Sequence, residues 1–97
     1  MTAGTWLIHL DGSTYGSTNA SVVQSIVQVS AGTAPGFSVS GDAYEEAAVY
    51  PPATGDTVYA NASFTTLVTI TGTGTIDLTW DVIGSTGFSN WTATRVA

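Results

Sequence analysis

The chain of 97 residues is the length of one domain. Only 8% of it is charged, against roughly 25% in ordinary soluble domains. Seven acids, no lysine, one arginine (Arg95) and one histidine (His9) give a net charge of −6. Such a chain cannot neutralise phosphates, so nucleic acid and anionic membrane surfaces are disfavoured as partners. No cysteine is present, which removes disulfides, thiolate metal sites and thiol nucleophiles together.

Taken in order, Met1–Gly4 is expected to be a loose arm. No basic and then apolar leader is expected at this end, and no apolar run nears the ~20 residues of a membrane span. Thr5–Leu10 reads as a strand, with Trp6, Ile8 and Leu10 on one parity and His9 on the other. Asp11–Gly16 reads as loop, because Asp-Gly is a turn signal. Residues 20–30 admit two readings. Val22, Val23, Ile26 and Val27 fit a helix face that Asn19 would cap, whereas Val23, Val27 and Val29 fit a strand face with Gln24 and Gln28 outward. The density of β-branched residues favours the strand. Residues 31–36 form a turn, and Phe37–Ser40 a short strand closed by Gly41-Asp42. Tyr44–Val49 is either a helical turn or an edge strand, ended by Pro51-Pro52.

Val58–Ile83 is the most regular stretch. Ile76, Leu78, Trp80 and Val82 alternate with Asp77, Thr79 and Asp81. Phe64, Val68 and Ile70 alternate with Ser63, Thr65, Thr69 and Thr71, and Leu67 breaks the pattern. The intervening Thr-Gly-Thr-Gly-Thr suits a short loop with positive φ, so the stretch is expected to be an antiparallel hairpin. A turn at residues 84–87 and a last strand, Phe88–Ala97, follow. Short strands with glycine-rich turns predict an all-β sandwich or small barrel of six to eight strands. Its expected core is Trp6, Ile8, Phe64, Val68, Ile70, Ile76, Leu78, Trp80 and Val82.

Chemistry has few candidates. A hydrolytic triad needs a positioned imidazole, and His9 lies mid-strand with no surrounding catalytic motif, so a structural or interface role is expected. Asp77 and Asp81 share a strand face about 13 Å apart, too far for the ~5–10 Å of paired glycosidase carboxylates. Asp42, Glu45, Glu46 and Asp56 match no calcium loop. All three asparagines, Asn19, Asn61 and Asn90, lie in glycosylation sequons, but 17 threonines and 10 serines make chance sequons common. No catalytic residue, cofactor or metal is therefore expected, and the protein is not expected to be an enzyme. A mean hydropathy of +0.26 with so few charges implies a surface partly covered by other subunits. Tyr15, Tyr44, Leu67, Trp91 and Arg95 are the candidate contacts, tyrosine and tryptophan being favoured at interfaces. Tyr15, Tyr44, Tyr50 and Tyr59 are expected in or near loops.

The run TGTGTIDLTWDVIGSTGFSNWTATRVA, closing on Ala93-Thr94-Arg95-Val96-Ala97, is similar to the final strands of small jelly-roll domains in tailed-bacteriophage virion proteins. The acidic, lysine-poor, Thr/Ser/Gly/Val-rich composition also resembles phage decoration proteins and fibre heads. The resemblance covers about a third of the chain. It implies a jelly-roll-like sandwich, a homotrimer, and a place on the outer capsid surface of the virion, bound to the major capsid protein or other virion subunits. Eight jelly-roll strands are tight in this length, so some are expected to be missing. The expected function is a capsid decoration (cement) protein. A tail or fibre component, or a carbohydrate-binding attachment module, are the alternatives.

Overall fold

The computed structural model describes residues 1–17, 22–51 and 55–97. Seven strands are present among them: β1 (Gly4–Gly16), β2 (Val23–Ala31), β3 (Ser38–Ser40), β4 (Tyr44–Val49), β5 (Val58–Ile70), β6 (Ile76–Ile83) and β7 (Ser85–Arg95). They form a small antiparallel β-sandwich. One sheet has the order β3-β5-β1-β7 and the other β4-β2-β6. Seven is one fewer than a full jelly roll has. Odd-numbered strands lie in one sheet and even-numbered strands in the other, so every connection crosses the sandwich.

The expected Val58–Ile83 hairpin is therefore wrong. β5 pairs with β1 along its whole length, from Gly16↔Val58 to Gly4↔Ile70, while β6 pairs with β2. The alternation was read correctly, but each strand turns its apolar face to the other sheet. The glycines between them serve close packing. Thr71 N–H donates to the Pro35 carbonyl at 2.9 Å, and Ala34 N–H to the Thr75 carbonyl at 3.0 Å. The β5–β6 and β2–β3 connections thus lie against each other. A Cβ on Gly74 would stand 2.5 Å from the Ala34 backbone, and one on Gly72 2.7 Å from the Pro35 ring. Neither glycine has positive φ. The next crossing, from β6 to β7, takes one residue: Gly84, at φ 121°, in a region L side chains rarely enter.

Other expectations are corrected or resolved. The Asp11–Gly16 loop is strand, since β1 continues to Gly16, with Asp11 opposite Ser63 and Gly12 opposite Ala62. Strands on both sides of β1 satisfy a segment whose local signal is a turn. Residues 23–31 are strand; Asn19, the expected cap, lies outside the described residues. Tyr44–Val49 is an edge strand. β7 begins at Ser85, inside the expected turn, and shifts register opposite Ser13/Thr14, leaving Gly87 as the extra residue of a bulge. The Met1–Gly4 segment touches the fold: Gly74 N–H donates to the Met1 carbonyl at 3.0 Å, and Trp6 Nε1–H to the Thr2 carbonyl at 2.9 Å.

Of the expected core, Ile8, Phe64, Val68 and Ile70 are buried. Trp6, near the start of β1, is only partly buried, and so are Ile76, Leu78, Trp80 and Val82 on β6, an edge strand with a neighbour on one side. Leu10, Val23, Val27, Val29, Ala60 and Ala62 complete the interior. Burying one such Ile, Leu or Val fully contributes roughly 1.5–3 kcal/mol. A polar link joins the sheets within this core. Trp80 Nε1–H donates to Ser25 Oγ at 2.8 Å, and Ser25 Oγ–H donates to the Gly12 carbonyl at 3.0 Å. The indole lies directly on Gly12, where a Cβ would come 2.4 Å from Nε1. The molecule is drawn out, measuring 52 × 20 × 18 Å with a radius of gyration of 15.7 Å, against about 13 Å for a compact chain of this size.

Candidate interaction surface

The sandwich is covered unevenly. The smaller sheet sits over β5 and β1, and β6 reaches only the border of β7. Trp91 lies opposite Leu10 and Ala93 opposite Ile8, so both face the inner side of their sheet. Yet Trp91 is 62% exposed, because no strand of the smaller sheet lies over it. The space left is a groove of about 370 Å³ lined by Met1, Ile8, Gly74, Thr75, Ile76, Leu78, Trp91 and Ala93. This opening is why Ile76 and Leu78 fall short of full burial. Arg95, opposite Trp6 on the same inner parity, stands at the end of the strand and is exposed.

The outer face of the four-stranded sheet is mostly hydroxylated. Thr5 and Thr69 meet at 3.1 Å through their hydroxyls. Leu7 and Leu67 stand opposite each other, both exposed. The Leu67 break in the β5 pattern is thus half of an outward apolar pair. Tyr15 and Tyr59 are strand residues next to strand ends, one residue from the end of β1 and from the start of β5, where a place in or near loops was expected. Their ring centroids are 6.2 Å apart and tilted by 42°, so they form no flat platform.

His9 has two partners on this face. Nδ1 lies 2.9 Å from Thr65 Oγ1 and Nε2 3.2 Å from Asp11 Oδ2. With Nε2 protonated, the ring donates to Asp11 and accepts from the Thr65 hydroxyl. Asp11 Oδ1 also accepts from Asn90 N–H at 3.2 Å, so the cluster ties β5, β1 and β7 together. Hydroxyl, imidazole and carboxylate are the side chains of a nucleophilic triad. Here they stand on an open strand face. The adjoining groove, about 240 Å³, is lined by Asp11 and Ser63 but not by His9 or Thr65. His9 thus sits in a hydrogen-bonded link across three strands, where a structural or interface role was expected. Its carboxylate partner was missed because Asp11 was read as loop; two residues along one strand, it shares the face of His9.

On the outer face of the smaller sheet, Tyr44 donates its phenol proton to Glu46 Oε2 at 2.7 Å, and Gln24 donates to Glu46 Oε1. The hydrogen bond to Glu46 is the largest cause of a raised Tyr44 pKa, with smaller contributions from burial and from the charges of Glu46 and Glu45. Asp77 and Asp81 stand exposed on the outer face of β6, opposite Ser30 and Ile26. Asn61 and Asn90 are exposed strand residues; Asn19 lies outside the described residues. Among the described residues no three His, Asp or Glu side chains gather to hold a metal, and no helix is long and apolar enough to cross a membrane.

The expected contact residues do not form one patch. Tyr15 and Leu67 lie on the outer face of the larger sheet, Tyr44 on that of the smaller. Trp91 and Arg95 lie along β7. What sequence reasoning missed is the groove beside Trp91, which depends on strand order across the two sheets. Comparison with known protein families, with curated proteins and with solved structures finds no match to this chain.

Proposed function

We propose that the protein is a structural subunit of a virion, working as a capsid decoration protein that binds the outer shell and stabilises it. The observation that carries this reading is the surface. Large apolar side chains, among them Leu7, Leu67, Phe88 and Trp91, are exposed on a chain with only 8% charged residues. Such side chains on a nearly uncharged surface fit protein contact better than permanent solvation. Net negative charge favours the outside of a DNA-filled shell, where no phosphate repels the protein. The 52 Å length against 18–20 Å width also suits a tail or fibre component, which is the second reading. Homo-oligomerisation belongs to the proposal. The resemblance implied three copies, but the strand edge argued below is self-complementary about a twofold axis.

Co-sedimentation of the purified protein with tailed-phage capsids, run beside a glycan array, tests the reading. Saturable capsid binding with a silent array is expected. Saturable sugar binding that is lost in Tyr15→Ala or Tyr44→Ala, without capsid binding, overturns it.

A further inference from the structure

The four sheet edges of this molecule are not alike. Exposed edges template unwanted pairing, and proteins blunt them by shortness, charge or cover. β3 is three residues long. β4 is six residues long, and its Glu45 sits opposite Val27 on the inner parity. β6 carries Asp77 and Asp81. The part of β5 beyond β3 lies against β4. β7 has none of these devices over residues 88–95, its bulge lying before them at Gly87. It is eleven residues long, contains no acid, and has one charge, Arg95, at its end.

Its backbone is also set for pairing. Asn90 N–H turns to Asp11 on β1, and Val96 N–H to the Thr5 carbonyl at 2.9 Å. Amides alternate sides along a strand. Those of Ser89, Trp91, Ala93 and Arg95 therefore point away from β1, along an edge with no strand beside it among the described residues.

We infer that β7 is the contact between two copies of this chain, paired antiparallel about a twofold axis through Thr92, so that two four-stranded sheets become one of eight. This register makes the strand its own complement. Trp91 falls opposite Ala93 of the second copy, the largest side chain against a small one. Phe88 falls opposite Val96, two apolar residues that are 61% and 53% exposed in the single chain. Ser89 falls opposite Arg95, Asn90 opposite Thr94, and Thr92 opposite itself. Trp91 and Ala93 take the hydrogen-bonded sites that their free amides require. Charge permits the contact as well: two chains of net −6 meet along a strand without acids. The paired segment, residues 88–96, is about 30 Å long, more than half of the 52 Å length of the molecule. The contact also covers the mouth of the groove beside Trp91. This inference does not rest on the virion reading and survives its failure.

Engineered cysteines in this cysteine-free chain read the register directly. Thr92 and Thr94 are both exposed on the outer face. In the proposed pair the two Thr92 Cα atoms lie about 4.5 Å apart, within the ~4.4–6.8 Å of a disulfide. The two Thr94 positions lie four residues apart, about 13 Å. Under mild oxidation at micromolar concentration, Thr92→Cys is expected to run almost wholly as a covalent dimer, with Thr94→Cys cross-linked at least tenfold less. Circular dichroism checks that both variants keep the wild-type fold. Equal cross-linking of the two, cross-linking mainly through Thr94→Cys, or none in either overturns the proposal. So does a monomer that instead takes an unrelated extended peptide along β7.

Discussion

The link between the sheets rests on Trp80, Ser25 and Gly12, and the last two each make a separate prediction. Gly12→Ala drives a methyl group into the Trp80 indole, whose ring nitrogen would be 2.4 Å from it. Overpacking of this kind costs about 1–3 kcal/mol, read as a lowered midpoint in urea. Ser25→Ala leaves the part-buried Trp80 N–H without its acceptor, and leaving a buried polar group without its partner costs about 1–3 kcal/mol. Thr14 supplies the opposite case. Its side chain is fully buried, and Oγ1 has no hydrogen-bond partner among the described residues. Thr14→Val keeps the shape and removes the stranded hydroxyl, so the protein should melt at a higher temperature; a lower one would mean that the hydroxyl has a partner. Tyr44 gives a pH prediction. Its folded pKa lies above the ordinary tyrosine value of about 10 through the bond to Glu46. The stability this contributes is whole below pH 10 and is lost as pH rises through the folded value. Ultraviolet titration should show a late-ionising phenol that ionises earlier in Glu46→Gln.

Strands were legible in the sequence because side-chain parity is local. The alternations in residues 64–70 and 76–82 placed their apolar faces correctly, and β-branched residues identified β2. Partners were not legible. The hairpin reading failed because Thr-Gly-Thr-Gly-Thr looks the same whether it reverses a strand within a sheet or carries it across the sandwich. What decides is the Ala34-Pro35 backbone packed against it, nearly forty residues earlier in the chain. Asp11-Gly12 misled for a related reason: the glycine answers to the Trp80 ring, not to a turn. The same blindness hid the groove, since Trp91 and Leu78 come together only through strand order. Gly74→Ala separates the two loop readings. In a free hairpin loop without positive φ it would be near neutral, whereas against the Ala34 backbone at 2.5 Å it should cost about 1–3 kcal/mol. A fold with no local strand pairs should also refold slowly, in the millisecond-to-second range typical of non-local β topologies.

At the scale of the whole molecule, the long thin shape, the scarcity of charge and the unguarded β7 edge form one account: a subunit built to be covered. Composition raised the expectation of a covered surface, while the choice of β7 needed the strand order. Thr92→Lys sets two ammonium groups against each other across the proposed axis while changing only an exposed side chain in the single chain. It should dissociate the assembly without lowering the cooperativity of unfolding. The most direct test is the solution mass of the unmodified chain by light scattering across a concentration series, with Thr92→Lys beside it. The account predicts twice the 9.9 kDa chain mass for the unmodified protein and a single chain for the variant. A mass of one chain at every concentration, or of three chains, would contradict it.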